Sequence, residues 1–368
     1  MTKASKKFIP ISKPTITQRE IDYVTDAVKS TWVSSLGEYI EEFEDKFARF
    51  CGTQYAISTS NGTTALHLAL VAAGVKSGDE VIIPDLTFVA TANAVKYINA
   101  VPVFVDINED SLCIDPEAIE KAITNKSKAI IPVHLYGHPA NMKAINQLAE
   151  KHNLLVIEDC AEAHGATIND KRIGSFSNAG VFSFYGNKVI TTGEGGMITT
   201  DNRDLFEKMK FLRDHAMDPN KRYWHTEVGF NYRMTNLQAA LGVAQFDRFD
   251  EILNKKKEIF NWYREGLKGI EGIKLNSQLP GYTNVYWMVC LEIMNYSEKE
   301  RDALLVKMRE LGIDSRPYFY PISDMPMYAK ANTPISHKVA QRGLNLPSYF
   351  DLTKDEVLYI CEQIRELI

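Results

Sequence analysis

Seven short runs of apolar and β-branched residues, at Tyr55–Thr59, Glu80–Pro84, 101–106, 129–133, 154–159, 181–184 and 197–200, alternate with stretches of helical spacing. The helical stretches include Ala65, Leu66, Ala69, Leu70 and Ala73, and later Met142, Ile145, Leu148 and Ala149. Several of the strand candidates are unbroken apolar runs, as expected where both faces of a sheet are covered by helices. Strand and helix alternate for about 150 residues, which predicts an α/β domain built on a mainly parallel sheet. In such sheets ligands gather beyond the carboxyl ends of the strands. Those ends are where functional residues are sought.

The pattern changes after Arg203. A helical run through Phe211 leads into a polar, aromatic-rich loop at 214–232. A long helix is expected from near Thr235 into the basic stretch 255–257. The remainder holds an apolar strand candidate at 285–293, a helix at 298–311, a loop with Pro317, Pro321, Pro326 and Pro334, and a final helix at 354–368. This reads as a large domain over residues 1–250 and a smaller α+β domain over 251–368, a division that a length of 368 residues accommodates. No internal repeat or low-complexity segment interrupts it.

Composition narrows the function classes. Lys and Arg total 42 against 47 Asp and Glu, a net charge of −5 that leaves no surplus of cations for a nucleic-acid backbone. The five cysteines, Cys51, Cys113, Cys160, Cys290 and Cys361, are scattered and form no pair at metal-ligand spacing, so a reducing compartment and no metal are expected. No run approaches the length of a membrane span, and the basic start at 1–7 lacks a following apolar run. That start reads as a tail, and the chain as a cytoplasmic enzyme without a membrane anchor.

The stretch Phe182-Ser-Phe-Tyr-Gly-Asn-Lys188, followed by Gly193-Glu-Gly-Gly-Met197, puts a lysine just past a strand and returns through a Gly-rich turn. A lysine buried at a strand end has its pKa lowered and can attack a carbonyl to form a Schiff base. A second strand, 154–159, ends in Asp159. A carboxylate there suits the ring nitrogen of a pyridine cofactor, whose protonated form draws electrons from a carbanion; a helix cap or a metal ligand is the alternative. Ser60-Asn-Gly62-Thr63-Thr64 follows the first strand and opens an amphipathic helix, so backbone N–H groups, hydroxyls and the helix dipole converge as in a phosphate cup. Ser183 can add a hydroxyl. Phe88, beyond the strand Glu80–Pro84, either stacks on a planar ring or belongs to the core. Cys160 reads as buried packing, while His134 and His164 either touch substrate or complete buried hydrogen bonds.

Taken in order, Ser60-Asn-Gly-Thr, Thr87-Phe88, Glu158-Asp159-Cys-Ala-Glu162-Ala-His164-Gly and the Lys188 stretch resemble the pyridoxal phosphate-dependent nucleotide-sugar aminotransferases of DegT type. The resemblance runs from Ile9 to the final helix. It implies the aspartate aminotransferase fold (fold type I), with pyridoxal 5'-phosphate as cofactor. Lys188 would be the Schiff-base lysine and proton carrier, Asp159 the partner of the pyridine nitrogen, Glu162 a neighbour of the phenolic oxygen, and Phe88 the cover of the ring. Gly62, Thr63 and Ser183 would hold the phosphate, with Asn231 reaching it from the neighbouring subunit of a homodimer that shares its active sites. A relative with histidine in place of the lysine removes a hydroxyl instead, so Lys188 implies transamination.

Loops carrying Trp32, Ser34, Trp224, His225, Arg316 and Tyr320 resemble the branch of that family that aminates the 4-keto group of GDP-4-keto-6-deoxymannose with glutamate as donor. The aromatic and arginine side chains among them suit sugar faces and diphosphates, and equally suit subunit contacts. Their implied role is substrate binding.

Overall fold

The computed structural model describes residues 8–368; the basic start at 1–7 lies outside the described residues. Seven strands form the main sheet: β1 (Tyr55–Thr59), β2 (Glu80–Pro84), β3 (Val101–Val105), β4 (Ser127–Ile130), β5 (Leu155–Asp159), β6 (Ala179–Ser183) and β7 (Gly196–Thr200). Their spatial order is β1-β7-β6-β5-β4-β2-β3, with β7 alone antiparallel to its neighbours. The reversal follows from the Gly-rich return that carries Lys188: it contains no crossover helix, so the chain re-enters the sheet beside β6 in the opposite direction.

The unbroken apolar runs are explained by two cores, one on each face. In β2, Ile82 joins one cluster while Val81 and Ile83 join the other; in β6, Phe182 and Val181 divide in the same way. Helices α1 (Gln18–Lys29), α2 (Glu38–Cys51) and α3 (Gly62–Ala72) begin the helical layers, continued by α4 (Ala90–Tyr97), α5 (Pro116–Ala122), α6 (Met142–His152) and α7 (Arg203–Arg213).

Three expectations about elements are corrected. The strand expected at 129–133 occupies Ser127–Ile130, because Pro132 has no N–H to continue the ladder. The single helix expected from Thr235 is two, α8 (Asn236–Phe246) and α9 (Phe249–Gly266), broken at Asp247 and Arg248. Both break residues are held from the N-terminal helices: the Asp247 carboxylate accepts from Tyr23 Oη at 3.1 Å and Lys46 Nζ at 2.7 Å, and Arg248 pairs with Glu20 at 3.0 Å. The strand expected from 285 starts only at Val289, since Tyr286 adopts a left-handed conformation with φ 51° and stacks on Phe260.

Beyond α9 a second, antiparallel sheet contains β8 (Ile273–Leu275), β9 (Val289–Ile293), β10 (Arg316–Pro317) and β11 (Gly343–Leu346) in the order β8-β9-β11-β10. A third core gathers Ile259, Phe260 and Tyr263 of α9 with Val289, Leu291, Val357 and Ile360, and Ile9 joins it from the start of the described chain. Helices α10 (Glu298–Glu310), α11 (Pro334–Arg342) and α12 (Lys354–Leu367) complete this region. Among the described residues no helix is long and apolar enough to cross a membrane.

Candidate active site

A cavity of about 570 Å³ opens at the carboxyl ends of β1, β2, β5 and β6, where the strand order predicts ligands to sit. Gly62, Thr63, Phe88, Asp159, Glu162, Ser183 and Lys188 all line it. These are residues that four separate stretches of sequence nominated.

The floor is polar and buried. Asp159, the last residue of β5, accepts hydrogen bonds from Thr91 Oγ1 at 2.8 Å and from the Ala161 N–H at 3.2 Å. Burial nevertheless pushes its carboxyl above the usual range, leaving it receptive to a proton-bearing partner. Lys188 Nζ lies 3.8 Å from Glu162 Oε1, and Glu162 Oε2 accepts the Tyr136 N–H at 3.0 Å. Burial drives the lysine pKa down and outweighs the pull of the two carboxylates. It also raises the Glu162 carboxyl to about 7 against the attraction of Lys188. The shift moves the amine in the direction a nucleophile needs.

At one side of the floor the mouth of α3 forms the cup. Asn61 Oδ1 caps the helix by accepting the Thr64 N–H at 2.9 Å, which leaves the N–H groups at the start of the helix facing the cavity. A Cβ on Gly62 would stand 2.8 Å from the Cβ of Ser183, so only glycine lets β6 and the helix mouth approach this closely. Over the floor lies an aromatic roof. The Trp287 ring sits 4.2 Å from Lys188 Nζ, its Nε1 donates to the Asn187 carbonyl at 2.8 Å, and Phe319 lies 5.7 Å from Phe88. Phe88 itself is 54% exposed, so its ring faces open space and is not core.

Other nominated residues lie elsewhere. Within the single chain Asn231 is exposed and bridges to Asp214. Trp32, Ser34, Trp224, His225, Arg316 and Tyr320 are exposed too and do not line the cavity. Local contacts hold several of them: Trp224 stacks under Lys221 Nζ at 3.9 Å, His225 Nδ1 meets the His215 carbonyl at 2.8 Å, and Arg316 pairs with Asp314 at 3.0 Å.

Thr91, Tyr136, Trp287 and Phe319 were not nominated, because each reaches the site through tertiary contacts that no local pattern announces. Tyr136 alone carries a structural oddity, φ 51°, visible only in the folded chain. Cys160 is buried with its thiol pKa pushed well up, which suits packing and not nucleophilic attack. It lies near His134 and Glu158, a cluster that spacing did not foretell. His134 meets Glu158 at 3.1 Å and accepts the Ala140 N–H, while Glu158 also accepts from Gly174, Phe176 and Ser177, so these groups are engaged in hydrogen bonds.

A ring carrying an aldehyde beside Lys188 Nζ, a nitrogen toward Asp159 and a phosphate at the helix mouth would engage the amine, the carboxylate and the cup together, and the Gly62–Ser183 cradle fits the last of these. That chemistry defines the class: a pyridoxal phosphate-dependent transaminase on an α/β sheet. Residues 14–365 match the DegT/DnrJ/EryC1/StrS aminotransferase family, and the chain belongs to it, as a pyridoxal phosphate-dependent sugar aminotransferase.

Two relatives are similar over nearly their whole length. The GDP-perosamine synthase of Caulobacter vibrioides is 47% identical over 97% of this chain and 98% of its own. That of Escherichia coli O157:H7 is 44% identical, covering 98% of each chain. Among solved structures, Spr1654 from Streptococcus pneumoniae in its PMP form superposes with a TM-score of 0.94 at 27% identity, covering 98% of this chain and 97% of that one.

Proposed function

We propose that this aminotransferase moves the amino group of glutamate to the 4-keto carbon of GDP-4-keto-6-deoxymannose. The product is GDP-perosamine, a precursor for the O-antigen of surface lipopolysaccharide. The observation that carries the choice of sugar is the near-full-length identity of 47% and 44% to two GDP-perosamine synthases. The enzyme works in the cytoplasm as a homodimer, and Asn231 of each chain reaches the phosphate bound by the other. Residues 1–250 supply the floor and Phe88, and 251–368 bring Trp287 and Phe319 over it. Trp32, Ser34, Trp224, His225, Arg316 and Tyr320 engage the nucleotide sugar.

Pyridoxal phosphate, when bound, supplies an aldehyde that takes up the amine and a ring that accepts the electrons of the broken C–H bond. The chain's own residues do the rest. Lys188 Nζ is the amine that holds the cofactor, and, once released, it carries the proton between the substrate carbon and the cofactor. Asp159 keeps a proton at the ring nitrogen, and Thr91 orients that carboxylate from behind. Glu162 faces the phenolic oxygen and shares a proton there, as a carboxyl with a pKa near 7 can. Gly62, Thr63 and Ser183 fix the phosphate, Phe88 covers one face of the ring, and Trp287 excludes water from Lys188.

The test is a two-stage assay. Glutamate alone should bleach the visible absorbance of the holoenzyme and release 2-oxoglutarate. The bleached enzyme should then aminate the GDP-linked ketosugar, identified by the mass of the amino sugar. Preference for a dTDP- or UDP-linked ketosugar would reassign the substrate, and bound cofactor without any glutamate-dependent bleaching would point to a regulatory protein. Lys188→Ala should abolish both turnover and the visible band; persistence of either defeats the proposal.

A further inference from the structure

Lys256, on α9, is buried at 5% exposure, and among the described residues no carboxylate pairs with it. A buried, unpaired ammonium is costly, so its presence calls for a purpose. Its Nζ meets three oxygens: the Trp287 carbonyl at 3.0 Å, the Ser348 carbonyl, and Ser348 Oγ at 3.2 Å. Burial lowers its pKa to about 7. Nζ donates to all three, the two carbonyls and the Ser348 hydroxyl oxygen, so its hydrogen-bonding capacity is spent on this one junction. Two turns further along the same helix, Tyr263 Oη donates to the Pro347 carbonyl at 3.0 Å, so α9 grips the 347–348 segment twice.

The Trp287 end of this contact leads into the active site. Its main chain is held by Lys256, its indole N–H by the Asn187 carbonyl, and its face lies 4.2 Å from Lys188 Nζ. Tyr136 stacks near the same ring with planes 16° apart. Trp287 precedes β9 in a stretch without regular structure, next to the left-handed Tyr286, so the backbone ladder does not fix it.

We propose that Lys256 is a positioning residue for the transamination: by holding the Trp287 carbonyl to α9 and to Ser348, it sets the indole face over the Lys188 amine. The proposal rests on the reading of Lys188 as the cofactor-binding amine. Lys256 touches neither cofactor nor substrate and acts through Trp287.

The experiment reads geometry directly. Reductive methylation of the cofactor-free protein with labelled formaldehyde places methyl groups on Lys188, and an indole this close shifts their proton resonances upfield through its ring current. Trp287→Leu should abolish that displacement. Lys256→Met should bring it most of the way to the Leu value, with no further change in the double variant, while Ser348→Ala, which keeps both carbonyl contacts, should retain it. Single-turnover bleaching by glutamate should slow about tenfold or more in Lys256→Met, because a roof misplaced by an ångström costs rate. Lys256→Gln, too short to reach Trp287, serves as the second variant and should lose the displacement equally. Retention of the wild-type displacement in either Lys256 variant overturns the proposal. Borohydride reduction of the wild-type holoenzyme distinguishes the two failures: label on Lys188 upholds the reading on which the proposal rests, and label on any other lysine overturns both.

Discussion

Glu162 and Lys188 illustrate how burial, more than charge, sets the chemistry of this floor. Both are pushed toward neutrality although they stand 3.8 Å apart. For Glu162 the folded pKa lies near 7 against an ordinary 4.5. The folded chain therefore keeps a proton that the unfolded chain has lost between those values, and its stabilising effect, complete below about 4.5, fades as pH rises through 7. Glutamine cannot ionise and loses nothing. We expect cofactor-free Glu162→Gln to gain on the wild type between pH 5 and pH 8, by about 2–3 kcal/mol at the upper end. Parallel urea titrations at the two pH values would measure it, and a constant difference would contradict it. The residues of this floor were legible because each sits in an unbroken stretch at a strand end. Trp287 was not: its partners Lys188 and Asn187 are about a hundred residues away in sequence, and an aromatic inside the apolar strand expected at 285–293 reads as core.

At the scale of elements, the helix mouth of α3 has two separable jobs. Asn61 satisfies one orphan N–H of the first turn, that of Thr64, and its loss in Asn61→Ala should cost about 1 kcal/mol in the cofactor-free protein. Gly62 instead permits close approach to Ser183. Gly62→Ala should therefore weaken pyridoxal phosphate binding tenfold or more, because a Cβ there must force the cup open. Equilibrium dialysis of the cofactor separates the effects: a variant that lowers stability without changing affinity has touched only the cap. The elements themselves were largely readable, since apolar runs covered on both faces leave few alternatives. The break between α8 and α9 was not readable, because helical spacing continues across it. The interruption is imposed by Tyr23, Lys46 and Glu20, which lie more than 200 residues earlier.

For the whole molecule, the proposed sharing of sites predicts complementation. Lys188→Ala lacks the reacting amine, and Asn231→Ala, by the proposed reading, spoils only its neighbour's phosphate site. Mixed under conditions that exchange subunits, two inactive variants should yield hybrids with one intact site, recovering about a quarter of wild-type activity. No recovery despite demonstrated exchange would place Asn231 in its own chain's site or in none. The sequence could indicate this residue only through family resemblance, since an exposed asparagine in a loop carries no local signature of a role in a second chain.

The aromatic roof is made last. A ribosome delivers Asp159, Ser183 and Lys188 well before it reaches Trp287 and Phe319. Until those two rings arrive, the side of Lys188 that Trp287 covers is open to water, and a cofactor taken up at that stage should be lost by hydrolysis.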